Sequence, residues 1–244
     1  MVVEVAAVVP AAGAGLRLGR QGAKALVRLD GRPLLAHALA TLEASRNVGA
    51  VVVVAHPDAE EATAKVVAGE GLAKVAAVVA GGPTRQASVR LGLAALPPGP
   101  GVVAVHDAAR PLAGPDLLDQ LLGLLLAGGP DGLAGVVPGV PVVDTVRRVG
   151  EGGRSLGVVD RGPLRAIQTP QLFVRALLEE AHRLAVHDGV EATDDAALVE
   201  RAGHPVLVAP GLAENLKVTT ALDLAVAEAI LARRHAHGGT GGWS

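Results

Sequence analysis

The chain has 244 residues, half of them apolar, with a formal net charge of −2, one Phe, one Trp, no Tyr and no Cys. The missing cysteines exclude disulfide frameworks, thiolate metal sites and a cysteine nucleophile. A charge near zero and the lack of stacking rings argue against a nucleic-acid binder. The length suggests roughly one to two domains at ~150 residues each, with a core built from Ala, Val and Leu. No stretch reaches the ~20 uninterrupted apolar residues of a membrane span. The first residues lack the basic region of a secretory signal, so a cytoplasmic location is expected.

In chain order, residues 5–9 form a short apolar run ending at Pro10 and a glycine-rich loop, as expected of a strand buried on both faces. Apolar residues at helical spacing predict helices over 33–44, 59–68, 85–96 and 116–127, the last starting at an Asp or Pro cap. Strands are predicted at 51–55, 75–79, 102–105 and 135–137. Strands alternating with helices imply an α/β fold with a mostly parallel sheet. Residues 141–149 and 156–159, around a Gly-Gly turn, read as an inserted hairpin, which needs a partner surface because an isolated ribbon is marginal. The glycine-rich tail 235–244 is expected to be disordered, leaving 1–234 as one domain with an arm at about 139–164.

Three loops following predicted strands carry chemistry. The first runs Pro10, Ala11, Ala12, Gly13, Ala14, Gly15, Leu16, Arg17, Leu18, Gly19 and is followed by Lys24. Glycines there let backbone N–H groups approach a phosphate. The pattern fits a plain tight turn and also a dinucleotide-binding turn, with Asp30 near the spacing of a ribose acid. Arg17 and Lys24 favour a more highly charged ligand such as a triphosphate. The chain has only four lysines (Lys24, Lys65, Lys74 and Lys217), two of them in loops rich in special residues.

The second loop, Gly81-Gly82-Pro83-Thr84-Arg85 with Ser88 beyond, reads as a turn and helix start, or as a base-recognition loop using backbone groups and one hydroxyl. The third, His106-Asp107-Ala108-Ala109-Arg110-Pro111, lies where open parallel sheets bind ligands. Asp107 and Arg110 could form a surface ion pair, or Arg110 could grip a phosphate. Further on, Thr193-Asp194-Asp195 reads as a capped helix start, and Asn215 to Thr219 as loop leading into strand. The eight histidines show no metal-ligand spacing.

These pieces, with Asp144-Thr145-Val146, Gln168-Thr169-Pro170-Gln171 and Asn215-Leu216-Lys217-Val218-Thr219, occur in one order. Together they resemble the 2-C-methyl-D-erythritol 4-phosphate cytidylyltransferase family from about residue 5 to about residue 228. The resemblance implies a single Rossmann-like nucleotidyltransferase domain that joins CTP to an alcohol phosphate and releases pyrophosphate. It implies that Pro10, Ala11, Ala12, Gly13 and Gly15 line the nucleotide with Arg17 and Lys24 at its phosphates, that Gly82 and Ser88 meet the cytosine, and that Asp107 and Ala108 lie beside the ribose. It further implies that Arg110, Thr145, Arg161, Thr169 and Lys217 hold the alcohol phosphate, with Asp107 nearby. Arg17, Lys24 and Lys217 are the expected catalytic cations, and Mg²⁺ is expected on the CTP phosphates rather than in a protein cage. The hairpin is expected to cross to a second subunit of a homodimer. Leu16, Ala23 and Pro83 depart from the residues common in the family. Competing readings are a cytidylyltransferase for another alcohol phosphate such as ribitol 5-phosphate, an NAD(P)-dependent oxidoreductase, and a non-catalytic nucleotide-binding protein.

Overall fold

The computed structural model describes residues 4–13, 23–128 and 132–236. The chain begins with β1 (Val5–Ala11), followed by a small hairpin of β2 (Arg28–Leu29) and β3 (Arg32–Pro33) that leads into α1 (Leu34–Ala44). Then come β4 (Val48–Ala55), α2 (Glu60–Gly69), β5 (Val75–Ala80), α3 (Arg85–Ala95), β6 (Val102–Val105), α4 (Pro115–Ala127) and β7 (Gly135–Pro141). The second half holds β8 (Val146–Val149), β9 (Ser155–Val159), β10 (Arg165–Ile167), β11 (Gln171–Val174), α5 (Arg175–Asp188), α6 (Asp195–Arg201), β12 (Val206–Pro210) and α7 (Ala221–Ala236).

The central sheet runs β5-β4-β1-β6-β11-β7, with β12 on the far edge of β7 and β10 beside β11 along the near edge. The strands β1, β4, β5, β6, β7 and β12 all point one way; only the β10–β11 segment opposes them. The parallel α/β architecture expected from the alternation is therefore present, with an antiparallel insertion that the alternation does not announce. Each inner strand divides its side chains between two cores, as period-2 geometry requires. Val5, Ala7 and Val9 join Leu35 and Leu39 of α1 and Leu118 and Leu121 of α4 on one face. Ala6 and Val8 join Val89 of α3, Leu178 of α5 and Val199 of α6 on the other. A third cluster seats α7 on the β2–β3 hairpin through Val27, Leu29, Ala227 and Leu231.

Small residues bring helix and sheet close. A Cβ on Gly92 of α3 would come within 2.4 Å of Val8, so only glycine lets this helix lie flat on β1. The only phenylalanine, Phe173, is fully buried and covers Gly135, where a Cβ would stand 2.4 Å from its ring.

Local chemistry sets several ends. Pro115 opens α4 at its first turn, where its missing N–H is harmless, and Gly114 rather than an acid precedes it. Asp194, not Thr193, caps α6 by accepting from Ala197 N at 3.1 Å. The segment 215–219 leads into a helix instead of the expected strand. Thr220 Oγ1 accepts from Asp223 N while Asp223 accepts from Thr219 N and Thr220 N, a reciprocal cap that starts α7. Helix α7 continues through Ala236, so His235 belongs to it; residues 237–244 of the expected tail lie outside the described residues.

The hairpin at β8–β9 forms its own two-stranded sheet, separate from the central one. Among the described residues no helix is long and apolar enough to cross a membrane.

Candidate active site

A cleft of about 780 Å³ opens at the carboxyl ends of β1, β4, β5 and β6. Pro10 to Gly13, Gly81 to Arg85, Asp107 to Ala109 and the residues after Ala55 form its walls, and Lys24 and Lys217 reach it from outside the sheet. Parallel strands deliver all these loops to one end, the usual position for a ligand in such a sheet. Lys24 N donates to Gly13 O at 3.1 Å, which draws the two ends of the first loop together. Gly15, Leu16 and Arg17 lie outside the described residues.

The floor under Gly81 and Gly82 is crowded. A Cβ on Gly81 would stand 2.6 Å from Ala12 Cβ and 3.0 Å from Ser88 Oγ, and one on Gly82 would stand 2.7 Å from Ala87 Cβ. These glycines are thus required by close packing around the site. Thr84 starts α3 by accepting from Ala87 N at 3.1 Å. Ser88, almost fully buried, donates to Thr84 O at 2.9 Å and accepts from Gly82 N at 3.1 Å. A hydroxyl has one hydrogen and two lone pairs, so Ser88 keeps one acceptor position.

The charged side of the cleft is organised around Asp107. Its Oδ1 accepts from Arg85 Nε at 3.1 Å and its Oδ2 from Lys217 Nζ at 2.7 Å. Burial alone would push the carboxyl upward; Arg85 and Lys217 outweigh that and hold it well below the usual carboxylate range. Arg85 also donates from Nη1 to Asp195 Oδ2 at 2.7 Å, and Asp195 Oδ1 lies 2.9 Å from His182 Nε2. Burial would lower the arginine's affinity for its proton, but Asp195 and Asp107 raise it, so Arg85 stays charged.

A backbone frame fixes these groups. Asp107 N donates to Thr169 Oγ1 at 3.0 Å, and that hydroxyl lies 3.1 Å from His106 Nδ1. Burial lowers the His106 pKa to about 4, despite the opposing pull of Asp107, so the ring is neutral near pH 7. Asn215 Nδ2 donates to Thr169 O at 2.8 Å, and Val218 N to Ala109 O at 2.8 Å. Gln168 bonds both the N–H and the carbonyl of Leu212. The 168–171 and 212–218 segments are therefore tied together beneath the cleft, which sets Lys217 opposite Asp107.

The structure brings together Pro10, Ala11, Ala12, Gly13, Lys24, Gly82, Ser88, Asp107, Ala108 and Lys217 around this one cleft. Thr169 is buried just behind it. Arg110 lies beneath the wall, where its guanidinium donates to Asn215 O at 2.7 Å and Ile167 O at 3.0 Å. Thr145 and Arg161 are exposed where the chain enters and leaves the hairpin, and neither lines the cleft. Asp30, the candidate ribose acid, occupies the exposed β2–β3 turn. Sequence reasoning passed over Arg85 and Asp195 as site residues; 110 positions separate them, and each reads locally as part of a helix start. Among the described residues no cluster of three or more His, Asp or Glu could cage a metal. Asp107, with a spare lone pair on each oxygen, fits a cation that is held mainly by a ligand's phosphates.

Comparison with known proteins agrees with this geometry. The family model of 2-C-methyl-D-erythritol 4-phosphate cytidylyltransferase (IspD) matches residues 5–233. The protein of that name from Streptomyces coelicolor is 48% identical over 242 residues, covering 96% of this chain and 87% of its own. The crystal structure of the cytidylyltransferase from Thermus thermophilus superposes with a TM-score of 0.76 at 39% identity, covering 94% of this chain and 99% of that one. The synthase structure from Anaerococcus prevotii gives 0.81 at 27% identity, covering 94% and 96%. A fold with this strand order, a cleft walled by glycines and cations, and a match along nearly the whole chain lead to one assignment: the chain belongs to the 2-C-methyl-D-erythritol 4-phosphate cytidylyltransferase family of nucleotidyltransferases.

Proposed function

We propose that the cleft binds CTP and that the chain transfers CMP to 2-C-methyl-D-erythritol 4-phosphate, forming the CDP-alcohol and pyrophosphate in isoprenoid precursor synthesis. The observation that carries this reading is the pairing of Arg85 and Lys217 with Asp107 in a cleft that Lys24 also lines, facing a glycine-walled floor. The Gly81–Gly82 loop offers backbone groups to a pyrimidine, and the spare acceptor on Ser88 suits the exocyclic amine that distinguishes cytosine from uracil. The first loop offers backbone N–H groups to the phosphates.

The substrate phosphate is already a nucleophile, so the enzyme needs no covalent intermediate. A phosphate oxygen of the alcohol phosphate attacks the α-phosphorus of CTP in line. The bond to the bridging oxygen breaks, and the electron pair leaves with pyrophosphate. Repulsion between the anions is the main barrier, and Arg17, Lys24 and Lys217 offset it by neutralising charge that grows at the α-phosphoryl group. Asp107 holds Lys217 in place until the second phosphate arrives. Mg²⁺, anchored by Asp107 and the nucleotide, would screen the triphosphate charge.

The alcohol phosphate is assigned to Thr145 and Arg161 of a second copy, because the arm that carries them is exposed along both strands. Val149, Leu156 and Val158 are all more than half exposed on a ribbon that a single chain leaves uncovered. This makes a homodimer the working unit. The oxidoreductase reading finds no support in the position of Asp30. Incubation with CTP, Mg²⁺ and either 2-C-methyl-D-erythritol 4-phosphate or ribitol 5-phosphate, followed by pyrophosphate release, tests the assignment. Release with the first substrate at a kcat/KM far above the second is expected. Preference for ribitol 5-phosphate, or no release with either, overturns it.

A further inference from the structure

Behind Arg85 in the cleft wall lies a buried polar pair, Asp195 and His182, that the reaction as described does not use. Arg85 stands at the first turn of α3, Asp195 at the first turn of α6, and His182 in α5. Both Asp195 and His182 are essentially fully buried. An ionised carboxylate can only accept, so His182 Nε2 carries the hydrogen directed at Asp195 Oδ1, and Asp195 passes its other oxygen to Arg85 Nη1. Stability alone is a weak reason to bury these groups, since apolar residues of similar volume often serve as well.

The geometry of Arg85 supplies another reason. It gives a single donor, Nε, to Asp107 Oδ1, while Nη1 is held by Asp195; Nη2 has no partner among the described residues. A guanidinium free to rotate pairs with a carboxylate through two parallel bonds. Released from Asp195, Arg85 would take both oxygens of Asp107 and displace Lys217, which now occupies Oδ2 at 2.7 Å. We propose that His182 and Asp195 are positioning residues: His182 orients Asp195, which restrains Arg85 so that Asp107 stays shared between Arg85 and Lys217. Neither residue reaches the cleft, and their effect passes wholly through the arginine. The cost of losing them is a misplaced Asp107 and Lys217, felt in kcat more than in CTP affinity.

This inference rests on the cytidylyltransferase reading for its kinetic arm only. Three variants separate it from a structural role. His182→Gln can return an N–H close to the position of Nε2, whereas His182→Asn is one carbon shorter and cannot reach Asp195; His182→Leu removes the donor altogether. Expected are an about tenfold loss of kcat in the Asn and Leu variants with KM for CTP within about twofold, and recovery to within about threefold in the Gln variant. Thermal midpoints measured alongside should not follow that order. An activity-independent readout is the Arg85 Nε–H resonance of ¹⁵N-labelled protein. It should be sharp and slowly exchanging in the parent and the Gln variant, and exchange-broadened in the Asn and Leu variants. Asn or Leu variants with parental kcat, a Gln variant no better than Asn, or an arginine signal unchanged across the series would overturn the proposal. If the parent released no pyrophosphate, the reaction assignment would fall and the arginine signal would decide this inference alone.

Discussion

The cleft and the arm solve opposite problems with the same short list of residues. In the cleft the charged groups around Asp107 are braced: its carboxylate by two cations and its backbone N–H by the Thr169 hydroxyl, Arg85 by two acids, Lys217 by a segment tied to Thr169 and Ala109. On the arm, Thr145 and Arg161 stand exposed at the base of a two-stranded ribbon whose strands pair with each other. Preorganised charge lowers a barrier because the enzyme does not reorganise at the moment of reaction, so rigidity is worth most where the phosphorus is attacked. A surface that meets another copy instead needs exposure. The comparison predicts that damage to the cleft appears in turnover, and damage to the arm in substrate affinity and assembly.

The sharpest test of the first half is Lys24→Ala, with Lys217→Ala beside it. Loss of one preorganised donor should cut kcat by ~10²–10³ while the thermal midpoint moves little. A kcat within tenfold of the parent, measured by pyrophosphate release, would remove that lysine from the reaction.

The bracing itself carries a pH signature. His106 has a folded pKa of about 4 against an ordinary 6.5, so its contribution is fully present above pH 6.5 and is lost as the pH falls towards 4, where the unfolded chain takes up the proton first. Roughly 3 kcal/mol of stability should disappear across that window. Urea denaturation at pH 7 and pH 4.5 checks it, with His106→Gln showing a smaller loss than the parent.

On the arm, Arg161→Ala should raise KM for the alcohol phosphate by about 10- to 100-fold, as expected for one charge-assisted bond, and leave KM for CTP unchanged. The smallest effect belongs to Leu156→Ser. Its side chain is more than half exposed, so stability should change by no more than about 0.5 kcal/mol while the proposed dimer weakens in sedimentation.

Much of the cleft could be read from the sequence because its residues sit in loops at the ends of consecutive strands. A run such as Val5 to Val9 ending at Pro10 announces the strand β1. The hairpin was equally plain from two β-rich runs around Gly152 and Gly153, both at positive φ in the structure. What stayed hidden depends on direction and distance. Arg110 reads as a phosphate ligand, but sequence spacing does not say that its guanidinium turns inward to Ile167 O and Asn215 O. Arg85 and Asp195 meet only because α3 and α6 pack on the same face of the sheet. The strand β10, Arg-Ala-Ile, is too short to show a period, and 215–219 resembles a strand until Asp223 is recognised as the cap that turns it into a helix.

The division of labour between the two regions can be measured by mixing subunits. Lys24→Ala damages the cleft and Arg161→Ala the arm, so at alcohol-phosphate concentrations near the parent's KM and well below that of Arg161→Ala neither homodimer has a competent site. If the arm serves the partner's cleft, random mixing gives mixed dimers in which one site carries both lesions and the other carries none. Activity should return to about a quarter of the parent's, as expected for a symmetric two-site dimer. Activity that stays at the level of the separate variants would show that each chain builds its site alone, and would contradict the account.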